Sequence, residues 1–309
     1  MQHPHRSLRL VLTKIKFAIA RLSYVVGYAL ETRASSTRYA QRNRRTKLST
    51  FNNPNMQLKN KVALIVGINN DIGRTTAIAM AQQGAKIAIA DRDLVRGEAI
   101  VAKIINGGGE AFFHELNIVL EREVKNMVEC VVAKYGSLDI AFNNASVESE
   151  LFPLARQPES LVAQLIDFNL NGTWMCIKHE IRQMLEQNGG AIVNNVGIYR
   201  TDGRMGCAIY RATKSAIRAI TESAAVEYAR HNIRVNAIAP GILQQATIFA
   251  QGIDNNNVRP VNSFVVPMGR GGQFEEVADT MVWLCSDNAS FVTGHILPID
   301  GGLKALSMQ

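Results

Sequence analysis

Tyr210 and Lys214 stand four residues apart in Tyr210-Arg211-Ala212-Thr213-Lys214, which places a phenol and an ammonium on one helix face. Two such groups side by side suit the transfer of one proton to or from a substrate. A tyrosine is a poor base, with a pKa of about 10. An ammonium held beside it stabilises the phenolate and lowers that value. The pair therefore reads as a proton-transfer device.

A second group of residues suits a dinucleotide. Gly67 follows the apolar run Val62–Val66 and opens an alanine-rich helical stretch, with Gly73 six residues later. A strand, a tight glycine turn and a helix N-terminus together present free N–H groups to a pyrophosphate. Gly67, Asn69, Asp71, Ile72 and Gly73 are the candidate contacts in that turn. Asp91 ends the second apolar run, 24 residues after Gly67. Its carboxylate suits the two adenosine ribose hydroxyls and repels a 2′-phosphate, which points to NAD. Arg92 beside it leaves NADP open, because a guanidinium pairs with such a phosphate. Asp71 suits a helix N-terminus by itself, but beside a pyrophosphate at about 5 Å it costs roughly 1–3 kcal/mol. That weakens binding about ten- to a hundredfold unless the side chain turns outward.

These residues need a frame that brings them to one edge. From Lys61 the chain alternates apolar strands with amphipathic helices, the pattern of an α/β doubly wound parallel sheet with helices on both faces. Seven strands are expected, at Val62–Val66, Lys86–Ala90, Ala111–His114, Ile140–Phe142, Ala191–Asn194, Arg234–Ala237 and Ile296–Pro298. Long helices are expected near 159–187 and 206–230. The segment 242–268 is polar, Asn-rich and without period, and a long loop in a compact domain is more often functional than accidental.

Of the net charge of +8, residues 1–50 carry +10 (eight Arg and three Lys against Glu31), which leaves −2 for the rest. A nearly neutral body argues against a nucleic-acid-binding surface. Residues 8–26 form a basic amphipathic helix pattern, interrupted by cations before it reaches spanning length, that suits contact with a membrane surface. The Arg/Ser-rich stretch after it resembles an organelle transit peptide, and a dispensable extension is the competing reading. Residues 1–55 are thus an extension to a domain at 56–309, with a cytoplasmic protein expected, or a mitochondrial one if the extension is a transit peptide. The four cysteines form no CxxC pair and the six histidines no metal-type spacing, so free thiols and no metal site are expected.

In order and spacing, the turn 66–73, Asn143-Asn144-Ala145, Asn169, Tyr210 with Lys214, Pro240-Gly241 and Asp300-Gly301-Gly302 resemble the short-chain dehydrogenase/reductases. The resemblance spans about Gln57 to Leu303. Its C-terminal part is most similar to acyl-carrier-protein reductases and glucose or cyclic-diol dehydrogenases. It implies an NAD(P)-dependent oxidoreductase acting on a small alcohol or ketone, with 242–268 as substrate loop. Tyr210 is then acid/base, Lys214 its activator and ribose anchor, and Asn169 the helix-kinking residue that supports a relay water. Asn117, Asn144, Ala145, Pro240, Gly241 and Leu243 join the cofactor contacts, and the long helices and last strand pair chains into a homotetramer or homodimer. Four positions depart from the family pattern: Val66 replaces Thr, Asp71 Gly, Gln245 Thr, and Gly197 the catalytic Ser thirteen residues before Tyr210. Loss of that hydroxyl implies impaired turnover, by about 10²–10³, which Asn195 or water would partly offset. The alternative is a non-catalytic relative kept for nucleotide binding or interaction.

Overall fold

The computed structural model describes residues 56–148, 150–197, 206–243 and 266–306. The N-terminal extension, most of the segment 242–268 and Gln245 within it lie outside the described residues. Seven parallel strands form one sheet: β1 Val62–Val66, β2 Lys86–Asp91, β3 Ala111–Glu115, β4 Ile140–Asn143, β5 Gly190–Asn195, β6 Ile233–Pro240 and β7 Ile296–Ile299. Their order is β3-β2-β1-β4-β5-β6-β7. The order reverses between β1 and β4, where a doubly wound sheet opens a crevice at its carboxyl edge.

The helices are α1 Asp71–Gln82, α2 Leu94–Asn106, α3 Glu121–Tyr135, α4 Glu159–Leu165, α5 Thr173–Glu186, α6 Ala208–Tyr228, α7 Phe274–Cys285 and the short α8 Leu303–Leu306. All five residues of β1 are buried, because both faces of a parallel sheet are covered. Ala63 and Ile65 pack into a core shared with α1, α2 and α7. Val62, Leu64 and Val66 point the other way, into a core shared with α3, α5 and α6. Among the described residues no helix is long and apolar enough to cross a membrane.

Two differences from the sequence expectation bear on the site. Several strands run further toward the crevice, so that Asp91, Asn143 and Asn195 are ladder residues, paired with Glu115, Asn194 and Ile238. A side chain on the last ladder residue is held more rigidly than one on a loop. The long helix expected near 159–187 is interrupted as well, by a π-helical turn at Ile166–Gly172 between α4 and α5. Asn169 lies inside that turn, fully buried. Its Oδ1 accepts from Val147 N at 2.8 Å and its Nδ2 donates to Val147 O at 2.9 Å. One side chain thus does for the Val147 backbone what a neighbouring strand would do, and the helix widens around it. Such widened turns concentrate at functional sites.

Candidate active site

The turn after β1 is built by close backbone contact. Gly67 has φ +95°, and a Cβ there would lie 2.3 Å from Ala145 N, so only glycine fits. Asn144 N and Ala145 N both donate to Val66 O at 2.8 Å. The Asn144 side chain donates to Gly67 O at 2.8 Å and to Asn70 Oδ1 at 3.0 Å. Asn70 caps α1, its Oδ1 accepting from Ile72 N and Gly73 N, so these donors have a side-chain partner that an anion would share or displace. Asn69 Nδ2 donates to Ser146 O at 2.8 Å, tying the turn to the end of β4.

Asp71 is not the bare charge that its position suggests. Its Oδ1 accepts from Arg74 Nε at 2.8 Å and lies 2.8 Å from a terminal guanidinium nitrogen. The pair is partly exposed and adds little stability, but it neutralises the carboxylate beside the helix start. The repulsion expected from Asp71 alone is therefore largely cancelled. Arg74→Gln is expected to raise the Kd for dinucleotide about tenfold by freeing that charge. Asp71→Asn added to it should restore the affinity, as read by fluorescence titration. An unchanged Kd in Arg74→Gln would show that the pair does not shield the turn.

At the end of β2, Asp91 Oδ2 accepts from Ile68 N at 2.7 Å and Oδ1 from Asp93 N at 3.0 Å. Each oxygen keeps a further lone pair. Arg96 donates to Asn69 O at 2.9 Å and Ile68 O at 3.3 Å, bracing the turn from α2. Arg92 lies over the Phe168 ring, 5.1 Å from its centroid, and donates to Asn117 Oδ1. The oxygen of Asn117, a candidate cofactor contact, thus already accepts from Arg92. Gly67, Asp91, Arg92, Ala145 and Phe168 are among the residues lining a cavity of about 180 Å³ here.

Tyr210 and Lys214 both lie on α6. Lys214 is only 4% exposed. Its Nζ donates to Asn195 O at 3.1 Å and stands 5.7 Å from the centre of the Tyr210 ring. Burial pushes its pKa down to about 8, against an upward pull from the Glu148 carboxylate. Asn195 Nδ2 donates to Asn144 Oδ1 at 2.8 Å, and its Oδ1 accepts from Gly197 N at 3.1 Å. A continuous line of hydrogen bonds therefore links Lys214 through Asn195 and Asn144 to Gly67. The Asn195 amide, expected to stand in for the missing serine, is instead a strut in this line. Gly197 has φ +51°, and a Cβ there would meet none of the described residues within 4 Å. Pro240 closes β6, Gly241 N donates to Ile299 O at 3.0 Å, and Leu243 bridges to Gly272. These three lie at the same carboxyl edge, outside the lining of the cavity.

Residues 67–304 match the family model described as enoyl-(acyl carrier protein) reductase. The chain belongs to the short-chain dehydrogenase/reductase family. As a member it is an oxidoreductase with a nucleotide-binding fold. It is 36% identical over 251 residues to a 2,5-dichloro-2,5-cyclohexadiene-1,4-diol dehydrogenase of Sphingobium indicum, covering 81% of this chain and 99% of that protein. Against a cyclohexanol dehydrogenase of an Acinetobacter species the identity is also 36%, covering 79% and 95%. Among solved structures, an NAD+-bound xylitol dehydrogenase superposes with a TM-score of 0.73 at 32% identity, covering 80% of this chain and all (100%) of that one.

Several supporting residues of this candidate site escape a reading by motif. Asn70 carries the ordinary signal of a helix cap, an Asn one residue before the first turn. Arg74 and Arg96 are visible only as cations on helices. Their role depends on which way the helices face. Glu180 is the most telling omission, since it lies in line with Cys176 and Met184 on the buried stripe of α5.

Proposed function

We propose that this protein interconverts a small secondary alcohol, cyclic or polyhydroxylated, and the corresponding ketone with NAD, at a rate held down by Gly197. The observation that carries the reading is Lys214, buried, with its Nζ on Asn195 O and 5.7 Å from the Tyr210 ring centre. The residues of the turn fit a dinucleotide: Asp71 is neutralised by Arg74, and Asp91 keeps acceptor capacity at the cavity. Asp91 also favours NAD over its 2′-phosphorylated form, and the drawing of Arg92 onto Phe168 and Asn117 leaves that guanidinium less suited to a phosphate. The bound dinucleotide supplies the hydride acceptor or donor. Tyr210 moves the proton at the substrate oxygen through its phenolic oxygen. The Lys214 ammonium lowers the free energy of the phenolate, and Asn169 fixes the Val147 backbone beside the cleft. The alcohol and diol substrates in the names of the relatives support the substrate class. Association into a homotetramer or homodimer fits Trp174 on α5, Val226 on α6 and Phe291 before β7, which stand exposed.

Titration with NAD and NADP by intrinsic fluorescence, then a screen of cyclic alcohols, polyols and ketones, tests this reading. Turnover with preference for NAD supports it. Binding without turnover would establish the second reading, a non-catalytic nucleotide-binding protein, which Gly197 with no side chain to offer favours. Absence of binding would sink both.

The lowered pKa of Lys214 gives a pH prediction. Below about pH 8 the ammonium is present, and above it the proton is lost. Dinucleotide affinity should therefore hold at neutral pH and fall as pH rises through about 8, and Lys214→Met should abolish that alkaline limb. A limb that persists in Lys214→Met belongs to another group.

A further inference from the structure

On the side of β4 and β5 turned away from the cofactor turn lies a buried polar chain that proton transfer does not use. Glu180 on α5 is fully buried. Its Oε2 accepts from Asn143 Nδ2 at 2.9 Å. The same Nδ2 donates to Asn194 Oδ1 at 3.0 Å, and Asn194 Nδ2 donates to Thr221 Oγ1 at 2.9 Å. The chain thus crosses from α5 through Asn143 and Asn194, the last pair between β4 and β5, to α6. Two oxygens in it, Glu180 Oε1 and Asn143 Oδ1, have no hydrogen-bond partner among the described residues. Both belong to the same bonded pair, and both are acceptors if Glu180 is ionised. A single proton on Oε1 makes it a donor for Asn143 Oδ1 and resolves both at once.

We propose that Glu180 is a neutral carboxylic acid that pairs with the Asn143 amide and, through it, positions Asn144 and Asn195 in the active site. Successive residues of a strand point to opposite faces. Fixing Asn143 and Asn194 from below therefore fixes Asn144 and Asn195 above, and these are the struts between Gly67 and Lys214. Glu180 acts through other residues and is a positioning residue. The inference about its active-site role rests on the proposed dehydrogenase reading; its protonation state does not.

The surroundings agree. Burial pushes the Glu180 carboxyl up to about 8, with the Asn143 hydrogen bond pulling the other way. One turn earlier on α5 is Cys176, also buried, its thiol pushed up by burial first and then by Glu180. Lys178 and His179 reach away to Glu121 of α3. From α3 the residues in this core are Val124, Met127, Val128 and Val131, while β4, β5 and α6 bring Asn143, Asn194 and Thr221. No cation among the described residues pairs with Glu180. An unpaired buried carboxylate is far less favourable than the neutral acid.

The test uses the full chain at pH 7 and three measurements. Infrared spectroscopy in D2O should show a carboxylic-acid C=O band that Glu180→Gln removes. Glutamine offers the same one donor and one acceptor to Asn143, so Glu180→Gln should keep wild-type hydrogen exchange and dinucleotide Kd within about twofold. Glu180→Leu, which leaves Asn143 Oδ1 unpaired and Nδ2 bonded to Asn194 alone, should speed exchange at the amides of 144–147 and 195–197. It should also raise the Kd about tenfold. No acid band, or a Glu180→Leu protein with unchanged exchange and Kd, overturns the proposal. Should Glu180→Leu fail to fold, the band and rescue by Glu180→Gln still decide it. A wild type that shows no turnover defeats the dehydrogenase reading while leaving band and exchange to judge Glu180.

Discussion

Tyr210→Phe is expected to lower kcat by about 10²–10⁴, the range that one positioned acid–base group contributes. The ring stays, so its packing on α6 and its distance to Lys214 Nζ, 5.7 Å from ring centre, are retained. Only the oxygen that carries the proton is removed. Lys214 cannot take over, because it is buried and already donates to Asn195 O at 3.1 Å, on the strand side of the cleft. The loss should fall equally on kcat and kcat/KM, the mark of an interaction made in the transition state. The dinucleotide Kd should change little, since the turn at Gly67, the Asp71–Arg74 pair and Asp91 do not involve the phenol. The check is steady-state kinetics on the best alcohol from the screen, together with a fluorescence titration. A variant that turns over at the wild-type rate would mean that the proton leaves by another route and that the pair on α6 is structural.

The residues that place the fold and the site differ in how visible they are beforehand. β1 is legible because five apolar residues end in a glycine turn, and that combination has few other uses. Tyr210, Lys214 and Asn169 are picked out in the sequence by motif alone, and the structure adds a physical setting for Asn169: its amide serves the Val147 backbone inside a π-helical turn. The break in the helix is legible only through the family resemblance, which makes Asn169 a helix-kinking residue, and its form as a π-helical turn over Ile166–Gly172 is not. Asp71 shows a different limit. Its type and position are plain, but its effective charge depends on a rotamer of Arg74 that no spacing encodes. Asn195 likewise looks free in sequence and is committed at both ends in the structure. Local pattern specifies elements and motifs. Which partner neutralises or occupies a side chain is settled by packing.

Gly197→Ser is expected to raise kcat by up to about 100-fold, because one preorganised donor at the developing oxyanion contributes about 3 kcal/mol. Among the described residues space does not prevent it: a Cβ at 197 meets none of them within 4 Å. The backbone does resist, since φ +51° is left-handed and costs a non-glycine residue about 1–2 kcal/mol. That strain falls on folding rather than on the chemical step, and should appear as a melting temperature lower by a few degrees. Gly197→Ala carries the same strain without the hydroxyl and isolates its effect. Serine faster than both glycine and alanine, with KM little changed, identifies a transition-state contact. The gain should vanish in the Tyr210→Phe background, where no proton transfer remains for the hydroxyl to assist. Equal rates for Gly197→Ser and Gly197→Ala would show that the restored hydroxyl does not reach the substrate oxygen. Low turnover would then have a cause beyond position 197, and the non-catalytic reading would gain by it.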